Sequence, residues 1–344
     1  MDFQIQSTFT ENLETEWNDL LDRTASHVPF MRYEYLSAWW ETRGGGEWPQ
    51  SARLALITAR KNGRLVGAIP LFHVENYQGK PALLLVGSIE VTDFLDLLAS
   101  PEDMDEFCSG LLGFLPNAGL PSWEILDLYN ILDSSPTLRA LQTAAGQKNW
   151  SFTQEKLQHS PYIPLPGDWE TYLAGIDKKQ RHEIRRKLRR ATESEIPVSW
   201  YLVHDSATLE QETNAFMDLM AFEPQKAAFL TELMRNHFHK VVRCAFDKAC
   251  LHMAFLTIGG QKAAGYLGFN YLNRLWIYNS GINPAFREYS PGWVLLGLQL
   301  KWANEIGFDE FDFMRGDEEY KYRFGALDRF VMRATLIPPV AAFK

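Results

Sequence analysis

The residues whose spacing most clearly suggests chemistry lie between Ile277 and Gly325 of a 344-residue chain. Leu275 to Ser280 reads as a strand and runs into Gly281-Ile282-Asn283-Pro284. Arg287-Glu288-Tyr289-Ser290-Pro291-Gly292 follows, and Trp293 to Ala303 then has helical apolar spacing. Ser290 suits an N-cap, and Pro291 suits the first helical position, where no N–H is needed. Gly292 removes a side chain where a ligand would approach the backbone. Such a helix start presents free N–H groups and a positive dipole end to an anion such as a pyrophosphate. Arg287 would add a charge-assisted contact. The bland alternative is a well-capped helix after a strand.

Composition bounds what else the chain does. Lys and Arg number 34 against 43 Asp and Glu, a net charge of −9, which disfavours general DNA binding. With 46% apolar and 22% charged residues, a packed core is expected. Three scattered cysteines (Cys108, Cys244, Cys250) suggest neither a disulfide framework nor a metal site. His237 and His239, two apart on a helix, face different sides and chelate poorly. The start of the chain lacks a signal-peptide pattern, and no apolar run is long enough to span a membrane. The expectation is a cytoplasmic protein with no metal.

The elements that must position Arg287 to Gly292 appear twice. Arg53 to Arg60 and Arg64 to Phe72 flank Lys61-Asn62-Gly63, a hairpin signal. Leu251 to Ile258 and Lys262 to Phe269 flank Gly259-Gly260 in the same way, and a third strand follows each hairpin. Helices are expected before each hairpin, including one over 168–193. A final strand is expected near 328–337, in the second half. The linker falls at Glu155 to Pro166, which divides the chain into domains 1–157 and 158–344.

The strand, the loop and the helix of the second half resemble the acetyl-CoA site of the GNAT N-acetyltransferase superfamily, with Arg287, Ser290 and Gly292 at the matching positions. Ser290 stands where the first glycine of that loop is expected. A narrower resemblance is to the CelD-like branch, relatives of the Fem-type aminoacyl transferases. It rests on Arg-x-x-Ser-Pro-Gly, on Ala303, Gly307 and Phe308, and on the run Asp312-Phe313-x-Arg315-Gly316-x-Glu318-x-Tyr320-Lys321. The resemblance implies an α/β (α+β) fold of two tandem GNAT-like domains, each a mixed, mostly antiparallel sheet flanked by helices. It implies acetyl-CoA as co-substrate, held by the backbone near Asn279, Ser280 and Ile282 and by Arg287, Ser290, Pro291 and Gly292. Thioester chemistry needs a base for the nucleophile and a proton for the leaving thiolate. Tyr320 is the candidate acid, and Glu318 or Asp312 the candidate base. Asp312 as a turn cap, Arg315 in an ion pair and Tyr320 as packed core are the competing readings. Arg315 and Lys321 are candidate acceptor-binding residues.

The first half has no Arg-x-x-Gly-x-Gly run, and its counterpart segment, Ser88 to Asp96, is acidic. That predicts a domain without cofactor. Asp93 and Asp96 are candidates for holding a cationic or hydroxyl-rich acceptor, or for forming turns and caps. Residues 178–190 carry eight basic residues and one acidic one. They would meet small-molecule phosphates, an RNA-linked donor or an anionic membrane, or else form a solvated face paired with local acids. The expected function is acyl transfer from acyl-CoA to an amine or hydroxyl of a small-molecule, sugar or cell-envelope-related acceptor. The alternatives are an aminoacyl transferase using charged tRNA and a non-catalytic binding module.

Overall fold

Asn62 and Gly63 take φ of 50° and 80°, the left-handed pair that a two-residue type I′ hairpin requires. Gly259 and Gly260, at 58° and 78°, do the same in the second hairpin. The two hairpins sit in two different sheets of the computed structural model, which describes residues 1–340. The chain divides into two units: residues 1–158 with the returning segment from Arg329, and residues 159–328.

In chain order the first unit holds β1 (Asp2–Gln6), α1 (Glu11–Leu21), α2 (Tyr33–Gly46), β2 (Arg53–Lys61), β3 (Arg64–Glu75), β4 (Pro81–Leu85), β5 (Leu98–Ala99), α3 (Met104–Phe114), β6 (Ile125–Leu132), α4 (Pro136–Gln147) and β7 (Ser151–His159). The second holds β8 (Tyr162–Pro164), α5 (Trp169–Gly175), α6 (Lys178–Thr192), β9 (Val198–Leu202), α7 (Leu209–Met220), α8 (Pro224–Phe229), α9 (Glu232–Asp247), β10 (Leu251–Ile258), β11 (Gln261–Tyr271), β12 (Arg274–Ile282), α10 (Pro291–Ile306), β13 (Glu310–Asp312) and α11 (Glu319–Arg323). β14 (Phe330–Ile337) closes the described chain.

The first sheet runs β1-β2-β3-β4-β6-β14-β7, with β5 pairing β3; the second runs β8-β13-β12-β11-β10-β9. Both are mixed, with one parallel pair each recorded: β4 with β6, and β12 with β13. Aromatic residues fill both cores. Trp17, Trp39, Phe72 and Phe107 are fully buried in the first unit, and Trp276, Phe216, Phe255 and Phe311 in the second.

Two expectations are revised. The helix expected over 168–193 breaks into α5 and α6, because Ile176 is extended and Asp177 caps a new helix, accepting from the amides of Lys179 and Gln180. The final strand belongs to the first sheet, not the second, so the expected second half ends too late; residues 341–344 lie outside the described residues. The physical reason is Asp127, buried on β6 without any exposure. Arg333 of β14 pairs both of its carboxylate oxygens, Nε at 2.7 Å and Nη2 at 2.9 Å. A buried carboxylate needs such a partner.

Candidate active site

β12 pairs β13 only from Arg274 with Glu310 to Trp276 with Asp312, and then runs on to Ile282 without it. The two parallel strands therefore part after Trp276 and Asp312, and β12 runs on past β13 towards α10. On its other side, β12 skips a residue against β11: Leu267 faces Asn279 while Gly268 faces Ile277. That bulge leaves Tyr278 outside the regular ladder.

A cavity of 570 Å³ opens at this point. Seven sequence-expected residues line it: Ser280, Ile282, Arg287, Ser290, Pro291, Gly292 and Tyr320. Pro284, Trp293, Leu296 and Tyr266 complete the lining. Arg287 is the only charged residue among those lining the cavity. Its guanidinium is exposed and has no ion-pair partner among the described residues. A site with one free cation and no acid favours an anion.

Ser290 occupies the N-cap position of α10, but not as a capping residue. It is left-handed (φ 52°, ψ 52°), and its side chain makes no capping hydrogen bond; a capping side chain needs extended backbone. The first-turn amides are thus left without a side-chain acceptor, beside the positive end of a 16-residue helix. Gly292 is pressed against Ile282: a Cβ here would lie 2.5 Å from Ile282 Cδ1. Those amides and Arg287 fit a phosphate-bearing co-substrate such as acyl-CoA.

Tyr320 follows from the clamp behind it. Lys321 is only 3% exposed. It donates to the carbonyl oxygens of Phe313, Arg315 and Gly316 and pairs with Glu318 at 2.8 Å. It therefore ties down the turn after β13 instead of reaching a ligand. The Tyr320 ring meets Phe313 edge-on at 6.1 Å. Burial, aided by Tyr266 and Glu318, pushes its phenol well above the usual range, so it keeps its proton. Burial also raises Tyr266, with Glu318 contributing.

Other expected residues stand elsewhere. Asp312 is fully buried and accepts the Met314 amide at 2.7 Å, which is the turn-capping alternative. Asn279 does not line the cavity; its Oδ1 accepts the Ser280 amide at 2.9 Å. Glu318 lies outside the lining, held to Lys321. The Arg315 carbonyl serves the Lys321 clamp. Asp96, in the first unit, is fully buried and accepts from Ser135 Oγ at 2.6 Å and Thr137 Oγ1 at 2.5 Å. That bonding fastens a loop to the start of α4. Asp93 is 8% exposed.

Sequence reasoning did not single out Tyr266 or Trp293. A signal for Tyr266 existed: it is the cross-strand partner of Ser280, so the two share a face. Trp293 is a cavity-lining residue that the basic helix touches. Lys187 of α6 sits 4.3 Å over its ring. Elsewhere on α6, Arg185 pairs with Glu170, Arg186 with Glu183 and Arg189 with Glu193, so much of that face is neutralised locally. His252 packs in the core and bonds Gln299 at 2.6 Å. Among the described residues no cluster of His, Cys, Asp and Glu could hold a metal, and no helix is long and apolar enough to cross a membrane.

Residues 178–322, in the second unit, match the family model of the acetyltransferase (GNAT) domain. The tandem fold is that of the solved structures that follow. The crystal structure of FemX aligns with TM-score 0.69 at 11% identity, covering 97% of each chain. L-PGS from Bacillus licheniformis aligns with TM-score 0.56 at 12% identity, over 96% of this chain and 93% of that one. A tandem GNAT protein from the clavulanic acid biosynthesis pathway aligns with TM-score 0.52 at 11% identity, over 98% and 99%. At such identities these likenesses concern the fold alone. No curated protein matches the sequence.

Proposed function

We propose that the protein moves an acetyl group, or another acyl group, from acyl-CoA to an amine or hydroxyl of a small acceptor such as a sugar or a cell-envelope precursor. The observation that carries this reading is the cavity at the start of α10, where Arg287 is the only charged lining residue. In this reading Gly292 and its neighbouring amides take the co-substrate's pyrophosphate, with Arg287 beside them. The thioester then lies between Ser280 and Tyr320, beside the stretch of β12 that runs on past β13.

The acceptor's nucleophile attacks the thioester carbonyl and the C–S bond breaks. The Tyr320 phenol, held protonated by burial, supplies the proton that the departing thiolate takes up. No acid lines the cavity, so the nucleophile's proton leaves through water, with Glu318 as the candidate acceptor. Asp312, with its carboxylate engaged, is the weaker candidate. The first unit takes no CoA in this reading, and the protein works in the cytoplasm.

The test is calorimetric titration with acetyl-CoA. Saturable binding at micromolar to low millimolar concentration supports the reading, and no heat at millimolar ligand overturns it. Tyr320→Phe should keep that binding but lower turnover by about 10²-fold or more.

A second reading, aminoacyl transfer from a charged tRNA, is favoured by Lys187 of the basic α6 lying over cavity-lining Trp293. It predicts tRNA binding that weakens steeply with salt and with loss of Arg185, Arg186, Arg189 and Arg190.

A further inference from the structure

The first unit has a cavity of its own, of 530 Å³, and the ionisable side chains that line it are all basic: Arg43, Arg53 and His73. The rest of its wall is largely apolar, including Trp40, Leu54 and Leu120. Arg53 and His73 are directly opposite each other across β2 and β3, so their side chains share a face. Arg53 therefore stands beside a second basic side chain, and no acid lines the cavity.

Arg43 sits at the end of α2, its guanidinium 3.5 Å from the centre of the Trp40 ring. One of its N–H groups goes to the Trp40 carbonyl. Its Nε is buried and has no hydrogen-bond partner. No carboxylate pairs with Arg43 or Arg53 among the described residues. His73 Nε2 lies 3.0 Å from the Ser122 carbonyl oxygen. A partly buried, unpaired guanidinium is costly to hold. Helix capping explains its bond to Trp40; it explains neither the idle Nε nor Arg53 on the neighbouring strand.

We propose that this cavity binds a small organic oxyanion, a carboxylate or phosphate ester whose charge is shared by Arg43 and Arg53 and whose apolar body rests on Trp40 and Leu54. Guanidinium groups suit both headgroups, because a planar fork meets two oxygens at once. The apolar wall selects against a bare inorganic ion. The site lies wholly within the first unit and is independent of acyl transfer in the second.

The test titrates the full-length protein with benzoate, phenyl phosphate, inorganic phosphate and, as a charge control, benzylamine. Saturable binding of benzoate or phenyl phosphate is expected, weakened about tenfold or more in Arg43→Met and in Arg53→Gln, with none for benzylamine. The aromatic ligand that binds tells carboxylate from phosphate. Arg53 is exposed, so its variant keeps the test informative if Arg43→Met fails to fold. No binding of either aromatic anion up to about 10 mM, beyond the range of ordinary weak sites, overturns the assignment. So does equal affinity in Arg53→Gln. Inorganic phosphate binding as tightly as phenyl phosphate overturns its apolar half. Acetyl-CoA binding by Arg53→Gln should match the parent protein, so the two readings fail separately.

Discussion

Both units carry a hairpin, a third strand, a connecting segment and a helix in the same order, yet they finish the helix entry differently. In the first unit, residues 86–100 are all buried except Glu90. Glu47 Oε1 accepts from the amides of Ile89 at 2.7 Å and Glu90 at 3.0 Å. Asn130 Nδ2 donates to the carbonyls of Ile89 and Thr92, each at 2.7 Å. Asp96 takes the hydroxyls of Ser135 and Thr137, and β5 adds itself to β3. The helix that follows, α3, begins with acidic Asp105 and Glu106. In the second unit, residues 283–290 are exposed or half-buried. There the N-cap side chain is idle and Arg287 is unpaired. A protein carboxylate occupies one turn's amides; the other turn's amides face a cavity. The same layout thus yields a closed structural unit in one place and a ligand-ready cleft in the other.

The sharpest way to break that comparison is at Asp96. If it is a structural fastener, Asp96→Ala leaves two buried hydroxyls without their acceptor. It should then destabilise the protein by about 3–4 kcal/mol. Urea unfolding followed by circular dichroism measures this, while acetyl-CoA affinity of the folded fraction should be unchanged. Full stability with lost turnover would instead return Asp96 to the acceptor-binding role.

Glu47 sharpens it next. Burial is the main cause that pushes its carboxyl from 4.5 up to about 7, against the lowering effect of the two amides. The folded protein therefore holds this proton more tightly than the unfolded chain. Its contribution is fully present below about pH 4.5 and is lost as pH rises through 7. Allowing for residual solvent, the loss is about 2 kcal/mol. Thermal melts from pH 5 to 8 should show the parent losing stability relative to Glu47→Gln. Parallel curves would mean that burial does not raise the Glu47 carboxyl.

Much of this contrast was legible in the sequence. Asn62-Gly63 and Gly259-Gly260 announce their turns because few other residues take that backbone easily. Arg287, Pro291 and Gly292 announce the helix start for equally local reasons. The return of β14 to the first sheet was not legible, because it depends on Arg333 meeting Asp127, 206 positions away. The sequence offers Lys321 as an acceptor-binding cation; only the packed turn shows its ammonium ringed by carbonyls. Leu272 and Asn273 form a further left-handed pair, with φ of 50° and 56°, between β11 and β12, where no glycine marks the turn. The bulge at Tyr278 likewise has no local signature, since it arises from how β11 and β12 align.

The finest comparison is one methyl group at the second helix entry. In Gly292→Ala the new Cβ would meet Ile282 Cδ1 at 2.5 Å. Ile282 is 44% exposed, so the tip of its side chain can swing aside and stability should change by less than about 1 kcal/mol. The methyl group would still stand in front of the first-turn amides, where a phosphate has to approach the backbone. Acetyl-CoA affinity should fall about tenfold, or about 1.4 kcal/mol, as read by calorimetry. Arg287→Ala should weaken binding by a similar or smaller factor, and its effect should shrink at high salt, because the guanidinium is exposed and screened. If Gly292→Ala bound acetyl-CoA as tightly as the parent, the amides at the start of α10 would not be what receives the ligand. The open end of the second unit would then differ from the closed end of the first in packing alone.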